Sequence, residues 1–392
     1  MKKLKTDVEL FLKLIYGEKE VEEYLGIVNS MINYVSERVL NRRNEFDKNA
    51  SIPRDFLNDV FKFGFQAIPY NKEYGGYELP YLLYIIGMEI LSYGSPSVAN
   101  VIWASNSVID GLYNFGSNPQ KESYLKPLLK GDKIAAIAMT EPSGGSLIEY
   151  IKTRAERKGN QYILNGSKIF ITNAPIADIF LVFANTDKGI SAFILDNNTE
   201  GLKIGKPMHK LGMRGAVFSE VTLDNCIVPK ENILGEEGKG IDVAKHIFIG
   251  GRIIASALAL GIGDAVLDQV YQYITSRELG KYKLIDFQLI KSKIAEMETI
   301  LQVGKIYTYY TAFLMDKIPR QELSESASIS KLFTTEGVLN MANDAISIFG
   351  GYGYTDDLNI HMFWRDARAL TIMEGTSDIQ RLIIQHELKK RL

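Results

Sequence analysis

Three short segments carry residue types that could do chemistry. In Ala138-Met139-Thr140-Glu141-Pro142-Ser143-Gly144-Gly145-Ser146 a β-type run ends in a turn rich in hydroxyls and glycine. Small residues there let a backbone approach a ligand, with free N–H and hydroxyl groups in reach. A plain surface loop has the same composition. In Ile348-Phe349-Gly350-Gly351-Tyr352-Gly353-Tyr354 glycines close a helical pattern. They read as a C-cap, or as backbone brought close to a phosphate. In Thr371-Ile372-Met373-Glu374-Gly375-Thr376-Ser377 a carboxylate follows two apolar residues and precedes a helix start. A carboxylate among apolar groups has a raised pKa and can act as a base near neutral pH. The helix N-terminus behind it opposes that rise, and a solvated loop Glu is the alternative.

Other chemistries fail for want of material. One Cys excludes an intramolecular disulfide and multi-Cys metal or iron–sulfur sites, and no two of the four His stand at i,i+4. No metal site is expected. Gly261-Ile262-Gly263 lies inside a helical pattern and lacks a third glycine; Gly351-Tyr352-Gly353 has Asp356 in that place. A Rossmann site is therefore not expected, and there is neither a P-loop nor a G-x-S-x-G elbow. Cys226, at a strand end beside Asp224-Asn225, reads as packing material. An enzyme with this inventory brings in an organic cofactor or works with carboxylates.

The 392 residues suggest two or three domains. A charged content of 23% with net charge −2 speaks for an ordinary globular protein and against a dedicated nucleic-acid binder. The start Met1-Lys2-Lys3-Leu4-Lys5 is basic like a signal peptide, but Asp7, Glu9 and Lys13 break the apolar core that should follow. The longest near-apolar stretch, Ile253–Gly263, is shorter than the roughly 20 residues a bilayer requires. A cytoplasmic protein without a membrane span is expected.

Helical periodicity runs over 21–135. It includes a helix between Pro53 and Gly64, a turn-rich stretch at 69–76, and helices near 80–93, 97–115 and 118–130. Short β-type runs follow at 134–139, 161–164, 168–172, 179–184, 191–195 and 220–223, with Gly159-Asn160 and Asn165-Gly166 as expected tight turns. Strands without intervening helices suggest a barrel or sandwich. Helices return at 252–277, 288–315, 328–349 and 377–390, the last with Ser377 and Gln380 as an expected capping box.

Taken in order, these segments resemble the acyl-CoA dehydrogenase family of flavoproteins, from about residue 20 to the end. The resemblance rests on Glu73-Tyr74-Gly75-Gly76, Thr140-Glu141-Pro142 with Gly145-Ser146, Asn165-Gly166, Phe170-Ile171-Thr172-Asn173, Arg252, Arg277 with Phe287-Gln288, Gly350-Gly351 with Gly353, and Glu374-Gly375-Thr376-Ser377. It implies an α+β multidomain fold: an N-terminal helical domain (1–135), a middle β-barrel or sandwich domain (136–240) and a C-terminal four-helix bundle (241–392). It implies FAD, with Met139, Thr140 and Ser146 on the flavin side, Phe170 beside the isoalloxazine where a Trp is usual, and Thr172 near it. Arg277, Phe287 and Gln288 would reach the FAD of a neighbouring subunit, hence a homodimer or homotetramer. Gly350 and Gly351 would approach the pyrophosphate, with Thr376 and Asp378 on the last helix.

Glu374 matches the family's base, which removes the α-proton of an acyl-CoA while the β-hydride passes to the flavin. The Glu374 N–H and a ribityl hydroxyl would polarise the thioester oxygen. Ser146, Arg252 and Gly375 are carried over as substrate contacts. The implied activity is oxidation to trans-2-enoyl-CoA in fatty-acid β-oxidation, with electrons passed to an electron-transfer flavoprotein. A branch of the family carries its base one residue before the Arg matched by Arg252; Gly251 stands there, which implies the short- and medium-chain-like branch. This chain departs from the family pattern at Leu147, Ile249, Gly280, Ser347 and Met373. Lys206, Lys210 and Arg214 read either as a contact for CoA phosphates or as a solvated cluster, and Arg252 as a CoA contact or a structural ion pair. Three other functions stay open: the same oxidation on a carrier-protein-bound acyl group, a flavin oxidase or monooxygenase, and a catalytically silent scaffold.

Overall fold

The computed structural model describes residues 1–392. The first 134 residues form α1 (Lys2–Ile15), α2 (Glu18–Tyr34), α3 (Arg43–Asn49), α4 (Arg54–Phe63), α5 (Tyr81–Gly94), α6 (Pro96–Phe115) and the short α7 (Asn118–Gln120) and α8 (Lys126–Leu129). Pro53 and Gly64 bracket α4 as its spacing predicts, with Gly64 in the left-handed conformation. The basic N-terminal segment is an amphipathic helix that buries Leu4, Val8 and Leu12.

The strands are β1 (Ala135–Ala138), β2 (Arg154–Lys158), β3 (Gln161–Thr172), β4 (Ile179–Thr186), β5 (Gly189–Asp196), β6 (Leu202–Ile204), β7 (Phe218–Pro229) and β8 (Ile233–Leu234). They form one mixed sheet in the order β6-β7-β3-β2-β4-β5-β8, with β1 parallel to β4. Gly159-Asn160 joins β2 and β3 as a two-residue hairpin loop. Asn165-Gly166 does not turn the chain. It lies inside β3, where the register against β7 slips and then continues. Gly166 abuts Thr153, and a Cβ there would overlap that residue. A local Asn-Gly signal has yielded to strand pairing on both sides.

The C-terminal elements are α9 (Gly240–Ser276), a hairpin of β9 (Glu278–Leu279) and β10 (Tyr282–Lys283), α10 (Gln288–Leu314), α11 (Ser324–Phe349), α12 (Ile360–Leu370) and α13 (Ser377–Arg391). α9 begins twelve residues before its expected start, because the Gly250-Gly251 pair interrupts the apolar period without breaking the helix. By length and composition α9 could cross a bilayer, but 89% of its apolar window is buried inside the protein. It is apolar on all sides because α5, α6, α10, α11 and α12 surround it. One continuous core therefore joins the N-terminal and C-terminal helices through α9. The sheet keeps a separate apolar cluster.

Candidate active site

Glu374 lies between the end of α12 and the start of α13, with φ of 55°. Gly375 follows at φ of 80°. The left-handed region costs a residue with a side chain on the order of 1 kcal/mol, so the surroundings must hold it there. They do so through the carbonyls. Gln380 Nε2 donates to Glu374 O at 3.0 Å and to Gly375 O at 2.8 Å. Lys331 Nζ donates to Gly375 O at 2.6 Å. The backbone N–H of Glu374 makes no backbone hydrogen bond.

The expected capping box resolves differently. Thr376 is the N-cap of α13 and accepts from Ile379 N at 3.3 Å. Ser377 is the first helical residue and turns its hydroxyl to Thr371 O. Gln380 points back at the Glu374-Gly375 turn instead of closing a box.

The residue as a whole is partly exposed, but Glu374 Oε2 is shut off from solvent with no hydrogen-bond partner. Burial pushes the carboxyl up to about 7, against the opposing pull of Lys331 and Arg252. A carboxylate at that value exists in both protonation states at neutral pH, as a general base requires. A Cβ at Gly251 would overlap the Glu374 carboxyl, which explains why α9 carries a helix-weakening glycine there. Arg252 donates weakly to Ser324 O and Oγ, at 3.5 and 3.4 Å, and its Nε is buried without a partner. Burial lowers it to about 10, and Glu374 is the strongest group opposing that fall. It braces the site without forming a close ion pair.

A second cluster shapes the loop after β1. Glu141 accepts from Lys152 N at 2.7 Å, Thr153 N at 2.9 Å, Thr153 Oγ1 at 2.6 Å and Lys168 Nζ at 2.8 Å. Burial alone would raise this carboxyl; the hydrogen bonds outweigh it and bring it down to about 2. Lys168 also donates to Met139 O. Met139 and Glu141 are thus pinned from below, while Ser146 stays exposed on the same loop. On β3 a second register slip leaves Phe170 at φ of 60° and 56% exposed, an unusual state for an aromatic residue. Thr172 follows it on the same strand, partly exposed.

A third region is an open groove of about 570 Å³, lined among others by Arg277, Leu284, Gly350, Gly351 and Tyr352. Gly350 is the C-cap of α11, and a Cβ on either Gly350 or Gly351 would meet only open space. Arg277 lies over the Tyr352 ring, exposed, and Phe287 and Gln288 are exposed nearby in sequence. Asp378 is exposed and pairs with Arg381. An exposed aromatic beside a pinned loop, and an Arg beside open glycine backbone, fit the ring and the pyrophosphate of a flavin dinucleotide.

Among the remaining candidates, Lys206 is exposed. Lys210 donates to Ala216 O and lies over Phe218, and Arg214 is half-buried. These three do not form one solvated cluster. Cys226 is fully buried. Sequence reasoning missed Lys331, Lys168 and Thr153 and gave Gln380 only a capping role, because a polar residue in the pattern gives no sign of what it will face.

Known proteins match most of the chain. The family models that match are described as "Acyl-CoA dehydrogenase, N-terminal domain" at residues 22–132, "middle domain" at 136–226 and "C-terminal domain" at 238–389. A 3-(aryl)acrylate reductase of Clostridium sporogenes is 40% identical, over 88% of this chain and 93% of its own. A subunit of the caffeyl-CoA reductase–Etf complex of Acetobacterium woodii is 36% identical, over 88% and 93%. The solved butyryl-CoA dehydrogenase of Megasphaera elsdenii superposes with a TM-score of 0.90 at 32% identity, over 93% of this chain and 97% of that one.

Proposed function

The chain belongs to the acyl-CoA dehydrogenase family, and on that premise we propose that Glu374 is the base of an FAD-dependent oxidation of an acyl-CoA to its trans-2-enoyl thioester. The observation that carries the assignment is the buried, unpartnered Oε2 with a carboxyl raised to about 7. Oε2 takes the α-proton, the Cα–H electron pair becomes the new double bond, and the β-hydrogen leaves with its own pair. Bound FAD would supply the acceptor for that hydride and a hydroxyl donor for the thioester oxygen. The uncommitted Glu374 N–H is available to the same oxygen as enolate character develops. Gly251 leaves room at the base, and Arg252 faces it from α9. Ser146 and Gly375 complete the substrate side.

Met139, Thr140, Ser146, Phe170 and Thr172 would hold the flavin end of FAD. Arg277, Phe287, Gln288, Gly350, Gly351, Thr376 and Asp378 would hold the pyrophosphate and adenosine. The groove at Arg277 faces outward, which supports a dimer or tetramer in which it serves a neighbour's FAD. Electrons would leave to an electron-transfer flavoprotein, in a cytoplasmic setting. Anaerobic titration of the FAD-loaded protein with a panel of acyl-CoAs should bleach the flavin band. Absence of bleaching with every CoA ester, but bleaching with a carrier-protein thioester, would move the acyl carrier.

The two reductase relatives favour a second reading, in which the same groups run in reverse on a 3-arylacryloyl thioester. Protonated Glu374 would then return its proton to Cα. Pre-reduced protein should be reoxidised by 3-arylacryloyl-CoA faster than by 2-butenoyl-CoA; the opposite order removes this reading.

A further inference from the structure

Behind the proposed base sits a buried cation that the reaction as written does not use. Lys331 lies in the N-terminal third of α11, fully buried, with Nζ on the carbonyl of Gly375 at 2.6 Å. That carbonyl already accepts from Gln380 Nε2 at 2.8 Å, so hydrogen bonding alone does not call for an ammonium group. Burying a charge is costly unless something answers it. Burial lowers Lys331 to about 8, and the strongest group holding it up is Glu374, with Glu336 weaker and Arg252 acting in the opposite sense. The charged groups around the base come from several elements: Lys331 and Glu336 on α11, Arg252 on α9, and Glu387 on α13, which acts on Arg252. Neither Lys331 nor Arg252 touches the free carboxyl oxygen.

We propose that Lys331 is a positioning residue for Glu374: it holds the Gly375 carbonyl of the left-handed turn, and its charge keeps the neighbouring carboxylate ready to accept a proton at neutral pH. A cation in direct contact with Oε2 would block the approach of the α-proton. A cation one residue away acts through its field and leaves the oxygen free. The proposal rests on Glu374 being the base. Once Glu374 takes up the proton, Lys331 loses its counter-charge, so the two groups form one coupled titrating unit.

The test uses FAD-loaded wild type, K331Q, K331R and E374Q. K331Q keeps a donor for Gly375 O and removes the charge; K331R keeps the charge. The first readout is the pH profile of anaerobic flavin bleaching by an acyl-CoA. The second is the pH midpoint for the long-wavelength band formed with a 3-thiaacyl-CoA, whose α-proton can be removed while β-oxidation is blocked. Wild type and K331R should share a midpoint near neutrality. In K331Q the midpoint should move up by at least one pH unit, which costs about fivefold at pH 7 and is recovered at high pH. A K331Q profile that lies on the wild-type midpoint, with rates lowered equally at every pH, overturns the proposal. So does failure of both K331Q and K331R to take up FAD, which marks a purely structural residue. Bleaching that survives in E374Q would instead sink the base assignment itself, a separate outcome.

Discussion

Glu141 and Glu374 are the same residue type, and their surroundings shift the carboxyl in opposite directions. Glu141 collects two backbone N–H groups, a hydroxyl and an ammonium, and burial loses to hydrogen bonding. Glu374 keeps one buried oxygen unpartnered, and burial wins over two cations held at a distance. The first carboxylate is locked in its charged form to shape a loop. The second is left between forms, as the proposed base role requires. Direct hydrogen bonds, one of them from an ammonium group, outweigh burial at Glu141; cations held at a distance do not outweigh it at Glu374.

The largest expected effect comes from removing the unpartnered oxygen's chemistry. E374Q should bind FAD and ligand but lose about 10²–10⁴ in bleaching rate, measured by stopped flow under anaerobic conditions. Retention of more than a tenth of the rate would erase the distinction between the two sites. K168M should come next. It leaves Glu141 buried without its cation, which costs about 3–5 kcal/mol in denaturant unfolding and loosens FAD through the 139–146 loop. Equal stability with wild type would show that the backbone N–H groups suffice.

The two carboxylates also predict opposite pH behaviour. Glu374, raised in the folded state, contributes stability that is full below the unfolded value of 4.5 and is lost as pH rises through about 7. E374Q should therefore gain on wild type in thermal midpoint between those pH values and hold its lead above them. Glu141, lowered in the folded state, contributes stability that is full above 4.5 and is lost as pH falls through about 2. E141Q should accordingly close its deficit in that acid window. Two variants that both gain on wild type as pH rises, or both as it falls, would refute the comparison. G251A should shift the Glu374 carboxyl and slow bleaching about tenfold or more, with FAD retained, since one misplaced ångström can cost that much. The smallest effect is expected for T376A, a lost N-cap worth about 1 kcal/mol in the thermal midpoint.

The segment carrying Glu374 was legible in the sequence because its signals are local: an acid among apolar residues, a glycine, then a helix start. The glycines at 350–351 and the order helices, strands, helices were legible for the same reason. Lys331 was not, since it lies 43 positions before the base and meets it only through packing of α11 on α13. The N-cap was misplaced by one residue because Thr376 and Ser377 both offer a hydroxyl, and only the fold decides which reaches Ile379 N. Asn165-Gly166 carried a turn signal that long-range pairing of β3 with β7 overrode. α12 stayed invisible amid Gly-rich and charged neighbours, although it buries Ile360, Met362, Phe363 and Leu370.

The shared core around α9 sets a timetable for the newborn chain. α5, complete by residue 94, rests on a helix that ends at residue 276. During synthesis the face it turns to α9 stays uncovered while the whole sheet is being made. At 5–20 residues per second, that is an exposure of roughly ten to forty seconds. The N-terminal helices are thus first to be made and among the last to be protected, and they form the segment a chaperone would meet longest.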